Sequence, residues 1–143
     1  MVIIINGTKN VGKTAVANAL CGKFPDALVL PTAKADDDFT QAALRFIELK
    51  RKDGALVFIT DTVFVDPQEL KEFSQKTNDF CFSFYLNAPL SAYRSDAEAV
   101  EIANRQAPHC QGEFLGMLTD IDGLNAEAIA EHIARTIDQQ IGC

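Results

Sequence analysis

Apolar residues in this chain gather into short runs, and between the runs they recur at helical spacing. The runs are VIII at 2–5, ALVL at 27–30, ALVFI at 55–59, FCFSFYL at 80–86 and, less sharply, FLGML at 114–118. Near-continuous apolar strands alternating with helices are the grammar of βαβ units, in which a parallel sheet is covered on both faces. The pattern predicts an α/β fold with a five-stranded sheet, four or five helices and right-handed crossovers.

Each helix carries its own signals. The first, about 12–24, places Val16, Leu20 and Phe24 on one stripe and stops at Pro25. The second, about 38–52, turns Phe39, Ala43, Phe46 and Ile47 inward, and its basic end at 50–52 suits the negative end of the helix dipole. Asp66-Pro67-Gln68-Glu69 reads as an N-cap, a proline at the first helical position and a capping-box Glu. A polar helical stretch lies between Pro89 and Pro108, with a short loop, HCQGE, after it. The last helix begins after Asn125 and keeps Ile129, Ile133, Ile137 and Ile141 on one stripe, with His132 on the surface.

Composition narrows the classes. A chain of 143 residues, 48% hydrophobic and 23% charged, suits one domain with a core that needs no staple. The formal net charge of −7 argues against a nucleic-acid partner, whose phosphates require many Lys and Arg. The apolar run at the start is too short for a signal peptide or a membrane span, which predicts a cytoplasmic protein with no membrane partner. Cys21, Cys81, Cys110 and Cys143 are scattered without a CxxC, so they read as buried or inert thiols, and the adjacent His109 and Cys110 lack further ligands for a metal.

One motif carries chemistry. Gly7-Thr8-Lys9-Asn10-Val11-Gly12-Lys13-Thr14 matches G-x-x-x-x-G-K-[ST], between an expected strand and an expected helix. Such a loop curls its backbone N–H groups around an anion, and the helix after it aims its positive end at the same point. The motif predicts a polyphosphate site, with Lys13 on the β- and γ-phosphates and the Thr14 hydroxyl on Mg²⁺. Asp61, at the carboxyl end of the third strand, is the candidate second metal ligand, with the capping of the next loop as its other reading. A GTPase would show D-x-x-G and N-K-x-D; here Asp61 precedes TVF and the fourth strand ends in LNAP.

VIIINGTKNVGKTAVANAL, the acidic residues after the second strand, YLNAPLSAYR and TDIDGLNAEAIAEHI together resemble the P-loop kinase family of nucleotide, shikimate, gluconate and chloramphenicol phosphotransferases. The resemblance runs along nearly the whole chain, and the P-loop is its specific part. It implies a three-layer α/β/α P-loop fold of strand order 2-3-1-4-5 and transfer of the ATP γ-phosphoryl to a small acceptor. It places a lid at about 91–112, with Arg94 and Arg105 as its phosphate-clamping arginines, and Asp36 or Asp38 as the base or a further Mg²⁺ contact. A helix-capping role for these aspartates stands beside that reading. Lys34 is either an acceptor contact or merely exposed, and the resemblance sets the adenine near Asp120, Asp122 and Gly123. The little room between residues 31 and 54 favours a small alcohol or sugar over a nucleotide acceptor. The reduced lid keeps a second class open, a nucleotide-binding regulatory module without efficient transfer.

Overall fold

A computed structural model of the chain describes residues 1–25, 27–30, 41, 44, 45, 47, 57–59, 64–77, 80–110, 112 and 115–141. The strands are β1 (Val2–Asn6), β2 (Leu28–Leu30), β3 (Val57–Ile59), β4 (Cys81–Asn87) and β5 (Met117–Asp120). The helices are α1 (Lys13–Lys23), α2 (Pro67–Lys76), α3 (Ala97–Cys110) and α4 (Ala126–Ile141), with a 3₁₀ turn at Leu90–Ala92. Residues 41, 44, 45 and 47 are also helical.

Among the described residues all strand pairs are parallel, and the sheet runs β2-β3-β1-β4-β5, the order that the resemblance implied. β1 lies at the centre, with Val2 opposite both Val57 and Cys81. Because side chains alternate along a strand, its apolar run feeds both faces. Ile3 and Ile5 join Phe58, Phe84 and Leu86 against Val16, Ala17 and Leu20 of α1 and Ile129, Ile133 and Ile137 of α4. Val2 and Ile4 join Ile47, Val57, Ile59, Phe64, Leu70, Phe73, Tyr85 and Leu115 on the opposite face. The result is three layers, with the carboxyl ends of the strands at one edge.

Helix starts are set by side-chain chemistry. Asp66 caps α2 by accepting from the Gln68 N–H at 2.9 Å, and Asn125 caps α4 by accepting from the Ala128 N–H at 2.8 Å. No bond from Glu69 back to the Asp66 N–H completes a capping box among the described residues. Asp96 caps α3, accepting from the Glu98 and Ala99 N–H groups at 3.0 and 3.2 Å.

Three expectations are corrected. The α3 helix begins at Ala97 rather than just after Pro89, because Asp96 ends the preceding turn and caps the new helix with its side chain. It also runs through Pro108, and His109 and Cys110 belong to its end rather than to a loop. Pro108 gives up its own N–H bond to the carbonyl one turn back, and its place near the helix end confines that loss to the last turn. β5 spans Met117–Asp120 rather than 114–118, since this edge strand alternates half-buried Met117, exposed Leu118, buried Thr119 and exposed Asp120 and leaves no apolar run to read. Cys21, Cys81 and Cys110 are half-buried, and burial raises the Cys21 thiol above its ordinary pKa. Cys143 and most of the expected second helix, including Phe39, Ala43 and Phe46, lie outside the described residues.

Candidate phosphate site

β1 delivers the chain to Asn6, which is fully buried at the strand's carboxyl end. Its side chain donates to the carbonyls of Phe64 at 3.1 Å and Leu115 at 3.3 Å, and accepts from the Phe64 N–H at 2.9 Å. The side chain's donors and its acceptor are thereby tied, which fixes where the next residue starts. Gln106 of α3 donates to the same Phe64 carbonyl at 3.0 Å and accepts from the Tyr85 hydroxyl at 3.0 Å. Burial, then hydrogen bonding with Cys110, pushes the Tyr85 hydroxyl well above its ordinary pKa of 10.0, so it stays a donor.

From this base the loop turns. Gly7 has φ +153°, and a Cβ there would meet the Leu86 carbonyl oxygen and Val11 Cγ2 at 3.2 Å. Gly12 has φ +87° with nothing within 4 Å of a built Cβ, so the backbone conformation and not crowding asks for glycine. Among the described residues, no backbone N–H from Gly7 to Gly12 donates to another part of the protein. No side chain caps α1 either, in contrast to α2, α3 and α4. A row of uncommitted amides leading into an uncapped helix start has the backbone chemistry to receive an anion.

Lys13 is 8% exposed, and its ammonium donates to the carbonyls of Gly7 at 2.8 Å and Thr8 at 3.2 Å. The cation is thus held across the loop it belongs to. Thr14 comes next, exposed in the first turn of α1.

The loop is also fastened from outside. The buried Thr8 hydroxyl donates to the Ala99 carbonyl at 2.5 Å, Lys9 pairs with Glu98 at 2.8 Å, and the Asn10 side-chain amide donates to Asp96 Oδ2 at 2.7 Å. The bond to Glu98 raises the Lys9 pKa, desolvation works against it, and the charges of Glu98 and Asp96 add to the rise. Asp96, Glu98, Asn6 and Gln106 were not among the residues singled out from sequence. The Ser95-Asp96 pair before a helical pattern is a capping signal, but its partner lies 86 residues away in the chain.

The predicted site residues fall into four groups. Residues 7–14 form one continuous corner. Arg94 is exposed two positions before Asp96, so the chain holds it within about 7 Å, Cα to Cα, of the residue that grips the loop tip. Arg105 is exposed on α3, seven residues after Glu98 and therefore on the same side of the helix, about 10 Å along its axis. Asp120 is drawn to Asn87 at 2.6 Å at the carboxyl edge of β4 and β5, beside exposed Asp122 and Gly123. Asp36, Asp38, Asp61 and Lys34 lie outside the described residues. Among the described residues no three His, Cys, Asp or Glu side chains cluster as a metal site, and no helix is long and apolar enough to cross a membrane.

No family model matches the sequence. No curated protein matches it either. Solved structures do match in fold. A sugar kinase from Janibacter sp. superposes with a TM-score of 0.72 at 11% identity, over 96% of this chain and 94% of that one. A tunicamycin resistance protein from Deinococcus radiodurans gives 0.70 at 19% identity, over 95% and 94%. A shikimate kinase from Aquifex aeolicus gives 0.63 at 10% identity, over 98% of both chains. The uncommitted loop and the parallel sheet therefore sit in the fold that P-loop small-molecule kinases use.

Proposed function

We propose that the chain is an ATP-dependent phosphotransferase that moves the γ-phosphoryl of Mg·ATP to a small hydroxylated metabolite. The observation that carries this reading is the row of uncommitted amides from Gly7 to Gly12, closed by Lys13 and opening onto an uncapped helix. The sugar kinase and shikimate kinase folds support a small acceptor.

Loop amides and Lys13 hold the β- and γ-phosphates, the ammonium exchanging the carbonyls of Gly7 and Thr8 for phosphate oxygens. Mg²⁺ takes oxygen ligands and keeps part of its water. Thr14 follows Lys13 in the first turn of α1, and its hydroxyl type fits that demand, with Asp61 as the partner ligand. Held there by Thr14 and Asp61, Mg²⁺ would supply positive charge that offsets the phosphate charge. Arg94 and Arg105 neutralise charge on the transferring group. Asp36 or Asp38 accepts the acceptor's hydroxyl proton as the new O–P bond forms and the bond from the γ-phosphorus to the β-phosphate oxygen breaks. The lid is the segment at about 91–112, and its reduced size limits how well water is excluded.

The test is ADP formation from Mg·ATP across a panel of sugars, small alcohols, antibiotics and nucleosides, beside Lys13→Ala, with products identified by mass. Acceptor-dependent ADP that disappears in Lys13→Ala is the expected result. Nucleotide binding with no acceptor-dependent ADP across the panel would favour the regulatory module, a reading that the reduced lid motivates.

A further inference from the structure

We propose that Asp96 is a positioning residue for the phosphate loop, holding its tip in the binding conformation before any ligand arrives. The inference rests on the reading of Gly7–Thr14 as a nucleotide site.

The Asp96 carboxylate divides its two oxygens between two elements. Oδ1 accepts from the Glu98 and Ala99 N–H groups and fixes the start of α3. Oδ2 accepts from the Asn10 side chain at 2.7 Å. Among the described residues Asn10 is the non-glycine with positive φ, at 65°. That conformation costs any L-residue free energy, asparagine less than most. The side-chain bond offsets the cost and keeps the tip from relaxing. The neighbouring contacts act in the same direction, with Thr8 anchored to the Ala99 carbonyl and Lys9 paired with Glu98. Three successive loop residues are therefore held by their side chains, while their backbone N–H groups stay available for phosphate. A loop already in its bound shape loses less conformational freedom on binding, and affinity rises accordingly. The α3 segment then works as a brace for the loop.

Charge and positioning predict opposite signs, which makes the idea testable. A carboxylate next to a polyphosphate repels it, so on charge alone Asp96→Asn would tighten binding. Asparagine caps a helix about as well as aspartate, so α3 keeps its start, but the amide it turns toward Asn10 meets a donor unless the Asn10 amide reverses, and then a neutral bond replaces the charge-assisted one. Asn10→Gly removes the other partner while leaving the backbone free to adopt positive φ.

The experiment is calorimetric titration of the full chain with Mg·ADP, using wild type, Asp96→Asn, Asn10→Gly, the double variant and Lys13→Ala. Each single variant is expected to bind about five- to tenfold more weakly, and the double variant no more weakly than the worse single. The Asn10 side-chain amide signals in a ¹⁵N–¹H spectrum are expected to move in Asp96→Asn. Binding within twofold of wild type in either folded single variant, tighter binding in Asp96→Asn, or losses that multiply in the double variant would overturn the proposal. If Asp96→Asn does not fold, Asn10→Gly carries the test. Should Lys13→Ala abolish binding while both brace variants bind as wild type, the brace alone fails. Should Lys13→Ala bind as wild type, or the wild type not bind, the phosphate-site reading fails and the brace falls with it.

Discussion

On one face of the sheet Ile3, Ile5, Phe84 and Leu86 pack into an apolar cluster with α1 and α4, whereas on the other Asn6 and Tyr85 are tied to Gln106 and to the backbone of Phe64. The same central strand builds both faces, since Ile5 and Asn6 are neighbours that point opposite ways. The apolar face is a source of stability without direction, because burial rewards area and not angle. The other face buries its own apolar cluster, with Val2, Ile4, Phe64 and Leu115 among it, and adds at the carboxyl end of the sheet polar bonds that have geometry and sit under the loop that needs to be placed. Both faces bury apolar residues, and the bonds that position the loop are separated onto one of them.

That separation can be broken deliberately. The largest effect is expected from Ile133→Ala on the apolar face, where the side chain is fully buried. It should cost about 2–5 kcal/mol in denaturant unfolding and leave the nucleotide affinity of the folded fraction unchanged. Gln106→Ala is next. It leaves the Tyr85 hydroxyl without its acceptor and removes one donor to the Phe64 carbonyl, and should cost about 1–3 kcal/mol, this time with weaker Mg·ATP binding as well. An Ile133→Ala variant that weakens binding as much as Gln106→Ala, at equal folded fraction, would erase the distinction between the faces.

Tyr85→Phe should cost about 1 kcal/mol near neutral pH, and its effect should depend on pH. The folded chain keeps the hydroxyl protonated above its ordinary pKa of 10.0, so the unfolded chain releases that proton first. The contribution is fully present below pH 10 and is lost as pH rises beyond it. The stability difference between wild type and Tyr85→Phe, measured by urea unfolding from pH 8 upward, should therefore shrink on the alkaline side. A difference that stayed flat or grew would contradict the assignment. The smallest effect belongs to a site on neither face. Arg135 and Glu131 form an exposed pair at 2.6 Å, and Arg135→Ala should change stability by about 0.5 kcal/mol or less.

The same division explains what could be read from the sequence. The apolar face was legible, because Val16 and Leu20, and Ile129, Ile133 and Ile137, recur at helical spacing, and the run at 2–5 has the length and composition of a buried strand. The Gly7–Thr14 corner was legible because its chemistry is written in consecutive residues. β5 was misplaced because an edge strand with alternating exposure carries no apolar run. The polar base and the brace were not legible at all. Thr8 meets Ala99 across 91 residues, Asn6 meets Leu115 across 109, and nothing local in an Asn or an Ala announces a partner that distant.

The central claim is that residues 7–14 hold a nucleoside triphosphate through Lys13 and the loop amides. Calorimetric titration of Mg·ATP into wild type and into folded Lys13→Ala tests it most directly. Saturable binding by the wild type, weakened about tenfold or more in Lys13→Ala, is the predicted result. Equal affinity in the two proteins would contradict it.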